Sequence, residues 1–260
     1  MSLLSRLVGR SGSKSGEATI MSQHTVASFD ADLKMLAGMI GDMGSRAGHA
    51  LSDATRALLE RNVQLAQQVI ASDRTIDGLQ HQVEERAVTT IAKRQPMAID
   101  LREIISTIRI ANDLERVGDL AKNVAKRVIA IGDQPSPVNV ASGLNTLSVR
   151  VNEQLSLVLN AYRNRDDEAA LQVWKADGAI DTLFTSLFRE LLTYMMEDPR
   201  SIGFCTHLLF CAKNLERVGD HATNIAETAH YVITGDMLAA ERPKADESSA
   251  IDVNLRPPPS

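Results

Sequence analysis

The chain has 260 residues, 44% of them apolar, with 28 Lys and Arg against 33 Asp and Glu for a formal charge of −5. So much apolar mass excludes wholesale disorder. The acidic balance argues against a dedicated nucleic-acid binder, and one Trp, three Tyr and five Phe leave few platforms for base stacking. At about 150 residues per domain the length corresponds to roughly 1.7 domains. Leu, Ile, Val, Ala and Met carry the core, a mix that suits helix packing better than a β-sandwich.

In chain order, residues 1–21 are rich in Ser, Gly and Lys and read as a flexible extension. Helical periodicity then runs over 26–61, followed by a short helix over 63–71. Ser72-Asp73 reads as an N-cap opening a second long helix that Pro96 stops. A third helix spans 99–131, with Gly132 as its C-cap. Gly132-Asp133-Gln134-Pro135-Ser136-Pro137 cannot continue a helix and marks a linker over 134–141. Helices follow over 143–163, over 166–197 and, after Pro199, over 201–234. Residues 237–260, ending in three prolines, form a tail. The fold class expected is all-α, with a first three-helix bundle in 22–133 and a second in 142–236.

The second half repeats the first. Leu114-Glu115-Arg116-Val117-Gly118-Asp119 recurs letter for letter as Leu215-Glu216-Arg217-Val218-Gly219-Asp220. Ala121, Asn123 and Ala125 match Ala222, Asn224 and Ala226, while Ala66, Val69, Asp73, Ile76 and Asp77 match Ala170, Val173, Asp177, Ile180 and Asp181. Each motif helix has an apolar seam: Ile110, Leu114, Val117, Ala121, Val124 and Val128, then Cys211, Leu215, Val218, Ala222, Ile225 and Ala229. Gly118 and Gly219 lie beside it. Because glycine costs about 1 kcal/mol in a helix interior, a close-packed neighbouring helix is expected there.

The acids fall elsewhere. Glu115 with Asp119, Glu216 with Asp220, Asp73 with Asp77 and Asp177 with Asp181 are each four apart, so each pair shares a helix face. At about 100° per residue these rows point away from the seam, which puts four carboxylates per bundle together on an outer surface. Like charges at this spacing cost ~0.2–0.5 kcal/mol per pair, a penalty that a bound cation reverses. A single pair is as well explained by a solvated face matched to Arg74, Arg116 or Arg217; recurrence at equivalent places in both repeats favours metal. All-oxygen ligands suit Mg²⁺, Mn²⁺, Ca²⁺ or iron.

His221 could add one nitrogen ligand in the second repeat, where the first has Leu120. Glu227-Thr228-Ala229-His230 has the Glu-x-x-His spacing of di-iron bundles, but its counterpart is Lys126-Arg127-Val128-Ile129. His24, His49 and His81 read as helix-surface residues. Trp174, Phe184, Phe188 and the non-paired Cys205 and Cys211 read as core, the cysteines in a reducing compartment. No apolar run approaches the ~20 residues of a membrane span.

Leu-Glu-Arg-Val-Gly-Asp-x-Ala-x-Asn, present twice, together with the Asp-x-x-x-Asp pairs and His24-Thr25-Val26-x-x-Phe29-Asp30, resembles the PhoU family of phosphate-uptake regulators over about residues 22–236. The resemblance implies two three-helix bundles in a cytoplasmic homodimer that is not an enzyme. It implies divalent or trivalent metal ions (magnesium, manganese, iron or zinc) at the matching acids: Asp73, Asp77, Glu115 and Asp119, then Asp177, Asp181, Glu216 and Asp220. It further implies a negative regulator of the phosphate-starvation response, linking a phosphate ABC transporter ATPase to a sensor histidine kinase without nucleic acid or membrane insertion. The competing expectations are a metal-dependent, di-iron-like enzyme or iron-handling bundle, and a helical scaffold whose acids are simply solvated.

Overall fold

The computed structural model describes residues 14–132 and 140–238, and every regular element in them is helical. The elements are α1 (Lys14–Glu60), α2 (Val63–Arg94), α3 (Ile99–Ile131), α4 (Val140–Asn164), α5 (Asp167–Lys175), α6 (Asp177–Glu197) and α7 (Ile202–Thr234), with a 3₁₀ turn at Pro199–Ser201 before α7. Residues 1–13, most of the expected linker and residues 239–260 of the expected tail lie outside the described residues.

Local chemistry sets most helix ends. The Asn62 side chain accepts the Leu65 N–H at 3.0 Å and caps α2. Ahead of Pro96, Gln95 turns left-handed at φ 48° and α2 stops. Gly132 closes α3, donating its N–H to the Val128 carbonyl at 3.3 Å. Asp166 caps α5 through the Ala169 N–H at 3.0 Å.

Three expected boundaries move. Ser72 starts no helix: its hydroxyl donates back to the Val69 carbonyl at 2.9 Å within a continuous α2, as serine can in mid-helix. The stretch over 166–197 is instead divided at Ala176, whose N–H is shared by the Gln172 and Val173 carbonyls, both at 3.1 Å. Gly178, where the first repeat has Arg74, lowers the cost of interrupting the helix. Finally, α1 begins at Lys14, inside the polar stretch read as an extension. A stretch without proline extends a nucleated helix at one bond per residue, whatever its polarity.

At the centre α3 packs against α7; α1 and α2 cover α3, while α4, α5 and α6 cover α7. Arg102 near the start of α3 reaches the Tyr231 carbonyl near the end of α7, and Arg127 near the end of α3 meets His207 near the start of α7. The two motif helices therefore run antiparallel. Both apolar seams are fully enclosed. A Cβ on Gly118 would lie 2.9 Å from Ile76 Cδ1, and one on Gly219 would lie 2.8 Å from Ile180 Cδ1, so both glycines mark the expected close approach.

Cys205 and Cys211 are buried and free, and burial pushes the Cys211 thiol up to about 12. Neither thiol is expected to react with a maleimide at neutral pH in the folded protein. Mass spectrometry should show modification on the order of a hundredfold faster in urea, where thiolate and access both appear.

Candidate metal centre

The first acid cluster lies where α2 crosses α3. Asp73 and Asp77 come from consecutive turns of α2, Glu115 and Asp119 from consecutive turns of α3. Lys122 joins the helices: its ammonium donates to Asp73 Oδ2 and, at 2.8 Å, to Asp119 Oδ1. Asp73 is 4% exposed, and its other oxygen, Oδ1, is buried without a hydrogen-bond partner. That oxygen is 3.6 Å from where a Gly118 Cβ would sit, so the glycine leaves room beside the carboxylate. Arg116, outside, reaches Glu115 Oε2 and Asp119 Oδ2, each at 3.4 Å. Burial, and after it the Asp73 charge, raises the Asp77 carboxyl above its ordinary value. Glu115 is raised by burial, against the lowering effect of Arg116 and with help from Asp119, Asp77 and Asp73. These mutual effects place all four expected residues in one electrostatic cluster.

The second cluster is the same arrangement between α6 and α7. Asp177, Asp181 and Glu216 are buried, and Asp220 is half-buried. The Thr223 hydroxyl lies 3.0 Å from Asp177 Oδ1, and Lys213 Nζ donates to Glu216 Oε1 at 2.9 Å. Glu216 Oε2 is buried without a partner. Burial raises the Glu216 carboxyl; Lys213 opposes the rise, while Asp220 and Asp181 add to it.

The expected outer-surface position of the acids is therefore corrected. Asp73, Asp177, Asp181 and Glu216 are buried. A row set off from one helix's seam still faces protein when a neighbouring helix crosses over it, and α2 and α6 do so here. Burial favours neutral carboxyls or a positive charge beside them, and Lys122 and Lys213 supply such a charge within the two clusters.

The donor set is all carboxylate oxygen, which fits a hard cation, and each cluster holds one buried oxygen with no partner. As the side chains stand, no three His, Cys, Asp or Glu among the described residues are arranged to hold a metal ion. Lysine ammonium groups reach into both clusters instead. Lys122 and Lys213 were missed in the sequence, although their spacing was visible there: one lies three residues after Asp119, the other three before Glu216.

The remaining candidates are engaged elsewhere. His221 Nδ1 lies 2.9 Å from Asp113 Oδ1 on α3, and Asn224 donates to the same oxygen at 3.2 Å. Glu227 accepts the Trp174 indole N–H at 3.1 Å, and His230 Nδ1 lies 2.6 Å from Asp167. The Glu-x-x-His pair thus faces two different partners.

Glu216 supplies a pH prediction. Its folded carboxyl is raised, so the stability it contributes is fully present below the unfolded value of about 4.5 and declines as pH rises through the folded value. In chelator, Glu216→Gln should flatten that decline and unfold at higher urea than the parent at pH 7. An equal or steeper loss of stability between pH 4 and 7 in the variant would contradict the assignment.

Comparison with known proteins agrees with the fold and with the doubling of the chain. The family model described as PhoU domain matches twice, over residues 40–128 and 144–229. A phosphate-specific transport system accessory protein PhoU homolog of Rhizobium meliloti (strain 1021) is 54% identical over 228 residues, covering 88% of this chain and 96% of that protein. The homolog of the same description from Caulobacter vibrioides (strain NA1000 / CB15N) is 44% identical, covering 87% and 98% respectively. The crystal structure of PhoU from Pseudomonas aeruginosa superposes with a TM-score of 0.78 at 36% identity, over 80% of this chain and 100% of that one. The phosphate transport system regulatory protein PhoU from Streptococcus pneumoniae gives a TM-score of 0.75 at 27% identity, over 82% and 100%. With the doubled motif, its two glycine contacts and two equivalent acid clusters in place, the chain belongs to the PhoU family.

Proposed function

We propose that this protein is a negative regulator of phosphate uptake and of the phosphate-starvation response, acting as an adaptor between a phosphate ABC transporter ATPase and a sensor histidine kinase. The observation that carries the reading is the Leu-Glu-Arg-Val-Gly-Asp motif, built twice into one helical frame and each time closing an acid cluster. Its relatives are accessory proteins of phosphate-specific transport systems. No described helix is long and apolar enough to cross a membrane, which suits a cytoplasmic partner of membrane proteins.

Mg²⁺, Mn²⁺, iron or zinc held at Asp73, Asp77, Glu115 and Asp119, and at Asp177, Asp181, Glu216 and Asp220, would supply positive charge to carboxylates that are buried or half-buried. In this scheme the protein, as a homodimer, binds one state of the transporter better than another and biases the kinase accordingly; differential affinity is what allows a binding protein to transmit a state. No catalytic step is assigned. The di-iron alternative needs Glu227 and His230 turned to a common centre, whereas they face Trp174 and Asp167.

Two measurements test the reading. The tagged protein, purified from phosphate-replete and phosphate-starved cells, should bring down the transporter ATPase or the kinase in amounts that differ between the two conditions. Deleting its gene should leave phosphate-starvation genes expressed in replete medium. Normal repression in the deletion strain would overturn the regulatory role.

A further inference from the structure

The two repeats also meet where α1 runs beside α4. Gly41 faces the Arg163 guanidinium and Gly44 faces Leu159, so the two helices are antiparallel. Between them opens a cleft of about 510 Å³, within the ~300–1,000 Å³ of small-molecule sites, which favour boundaries between structural units.

Glycine in mid-helix is unfavourable unless something requires it. Gly44 has its reason in the packing, because a Cβ there would lie 2.8 Å from Leu159 Cδ1. Gly41 and Gly48 do not: the nearest atom to a Gly41 Cβ would be Arg163 Nη2 at 3.8 Å, and a Gly48 Cβ would meet nothing within 4 Å. Both line the cleft and keep it open.

The cleft changes character along its length. At the Gly41 end stands Arg163, which pairs with no acid among the described residues. Glu103 also lines the cleft but is held by Arg165 at 2.6 Å, so a positive charge is left over. Ile40, Leu155 and Leu159 form an apolar floor. Ser45, Ser52, Ser156 and Asn160 offer hydroxyl and amide groups that make no other hydrogen bond among the described residues. His49 marks the far end, about 12 Å from Gly41 at the rise of a helix. Tyr162, the aromatic residue of the lining, is half-buried with its hydroxyl 3.3 Å from that of Thr107, so a flat base has little to stack on.

We propose that this α1–α4 cleft binds a small phosphorylated polyol of the sugar-phosphate class, with the phosphate on Arg163 and the hydroxylated body between the serines and Asn160. A guanidinium matches phosphate oxygens in a planar fork. Inorganic phosphate alone would fill a small part of the space. The site goes beyond the adaptor reading and does not depend on it.

Calorimetric titration of the full chain with glucose 6-phosphate, glucose and inorganic phosphate tests the site. Glucose 6-phosphate should bind about tenfold or more tightly than either of the others, because each lacks one half of the recognised group. Arg163→Gln should weaken glucose 6-phosphate by about tenfold or more. Gly48→Leu fills the cleft from a position with open space above it; it should abolish binding while melting no lower than wild type. If that variant fails to fold, Arg163→Gln alone decides. No binding of glucose 6-phosphate by wild type, equal binding of inorganic phosphate, or variant isotherms that match wild type would each overturn the proposal and leave the regulatory reading standing.

Discussion

Replacing Glu115, Asp119, Glu216 and Asp220 together by alanine is expected to remove tightly held metal from the protein while leaving its helical circular dichroism near that of wild type. The four substitutions take half of the carboxylates from each cluster. Disturbing even outer-shell groups of a metal site costs about 10–100-fold in affinity, so losing direct ligands from both clusters should bring metal content to background. The fold should survive because the remaining acids keep partners: Lys122 still reaches Asp73, and the Thr223 hydroxyl still faces Asp177. Loss of the i, i+4 repulsions returns ~0.2–0.5 kcal/mol per pair, which partly offsets lost packing. Elemental analysis of protein purified without added metal gives the answer. Wild-type metal content in the quadruple variant would place the site elsewhere.

The second large effect concerns the glycines where α2 and α6 cross the motif helices. Gly118→Leu and Gly219→Leu should each destabilise by about 1–3 kcal/mol or more, since overpacking drives side chains off their rotamers and pushes helices apart. Even a first added carbon would lie 2.9 Å from Ile76 Cδ1 or 2.8 Å from Ile180 Cδ1. Alanine is the instructive intermediate. It gains about 1 kcal/mol of helix propensity but forces the isoleucine tip to move. Ile76→Val removes that tip, so Gly118→Ala should be better tolerated in the Ile76→Val background than alone. A double-mutant cycle by urea unfolding measures this coupling, expected at roughly 0.5 kcal/mol or more. Strict additivity would mean that α2 does not press on Gly118. Because Asp73 lies one turn from Ile76, the leucine variants should also weaken metal binding.

The repeat and the seams were legible because both are one-dimensional signals. A letter-for-letter recurrence needs no structure to be seen, and a helix projects every third or fourth residue onto one face by its own geometry. The glycine contact was legible for a related reason, since glycine inside a helix is unfavourable unless something close requires it. The pairing of acids within each helix was equally readable. Continuity was harder. Ser72-Asp73 has the letters of an N-cap, yet α2 runs unbroken through it, while the 166–197 stretch is broken at Ala176, which offers no side-chain cap. A capping residue permits a helix start without enforcing one, and packing decides which is used.

What the sequence determined by itself is therefore the duplicated all-α frame, the buried face of each motif helix and the identity of eight acids in two sets of four. What only the tertiary structure decided is the depth of those acids and the company they keep. A helical wheel fixes angles within one helix, whereas burial depends on where the next helix crosses, which here puts Asp73, Asp177, Asp181 and Glu216 inside. The α2–α3 crossing brings Lys122 to Asp73, 49 residues away along the chain, and the α3–α7 contact brings Asp113 to His221, 108 residues away. Periodicity marks which face of a helix is buried but not which residue it meets on its neighbour, because that pairing depends on two rotations and a crossing point that only the packed bundle fixes.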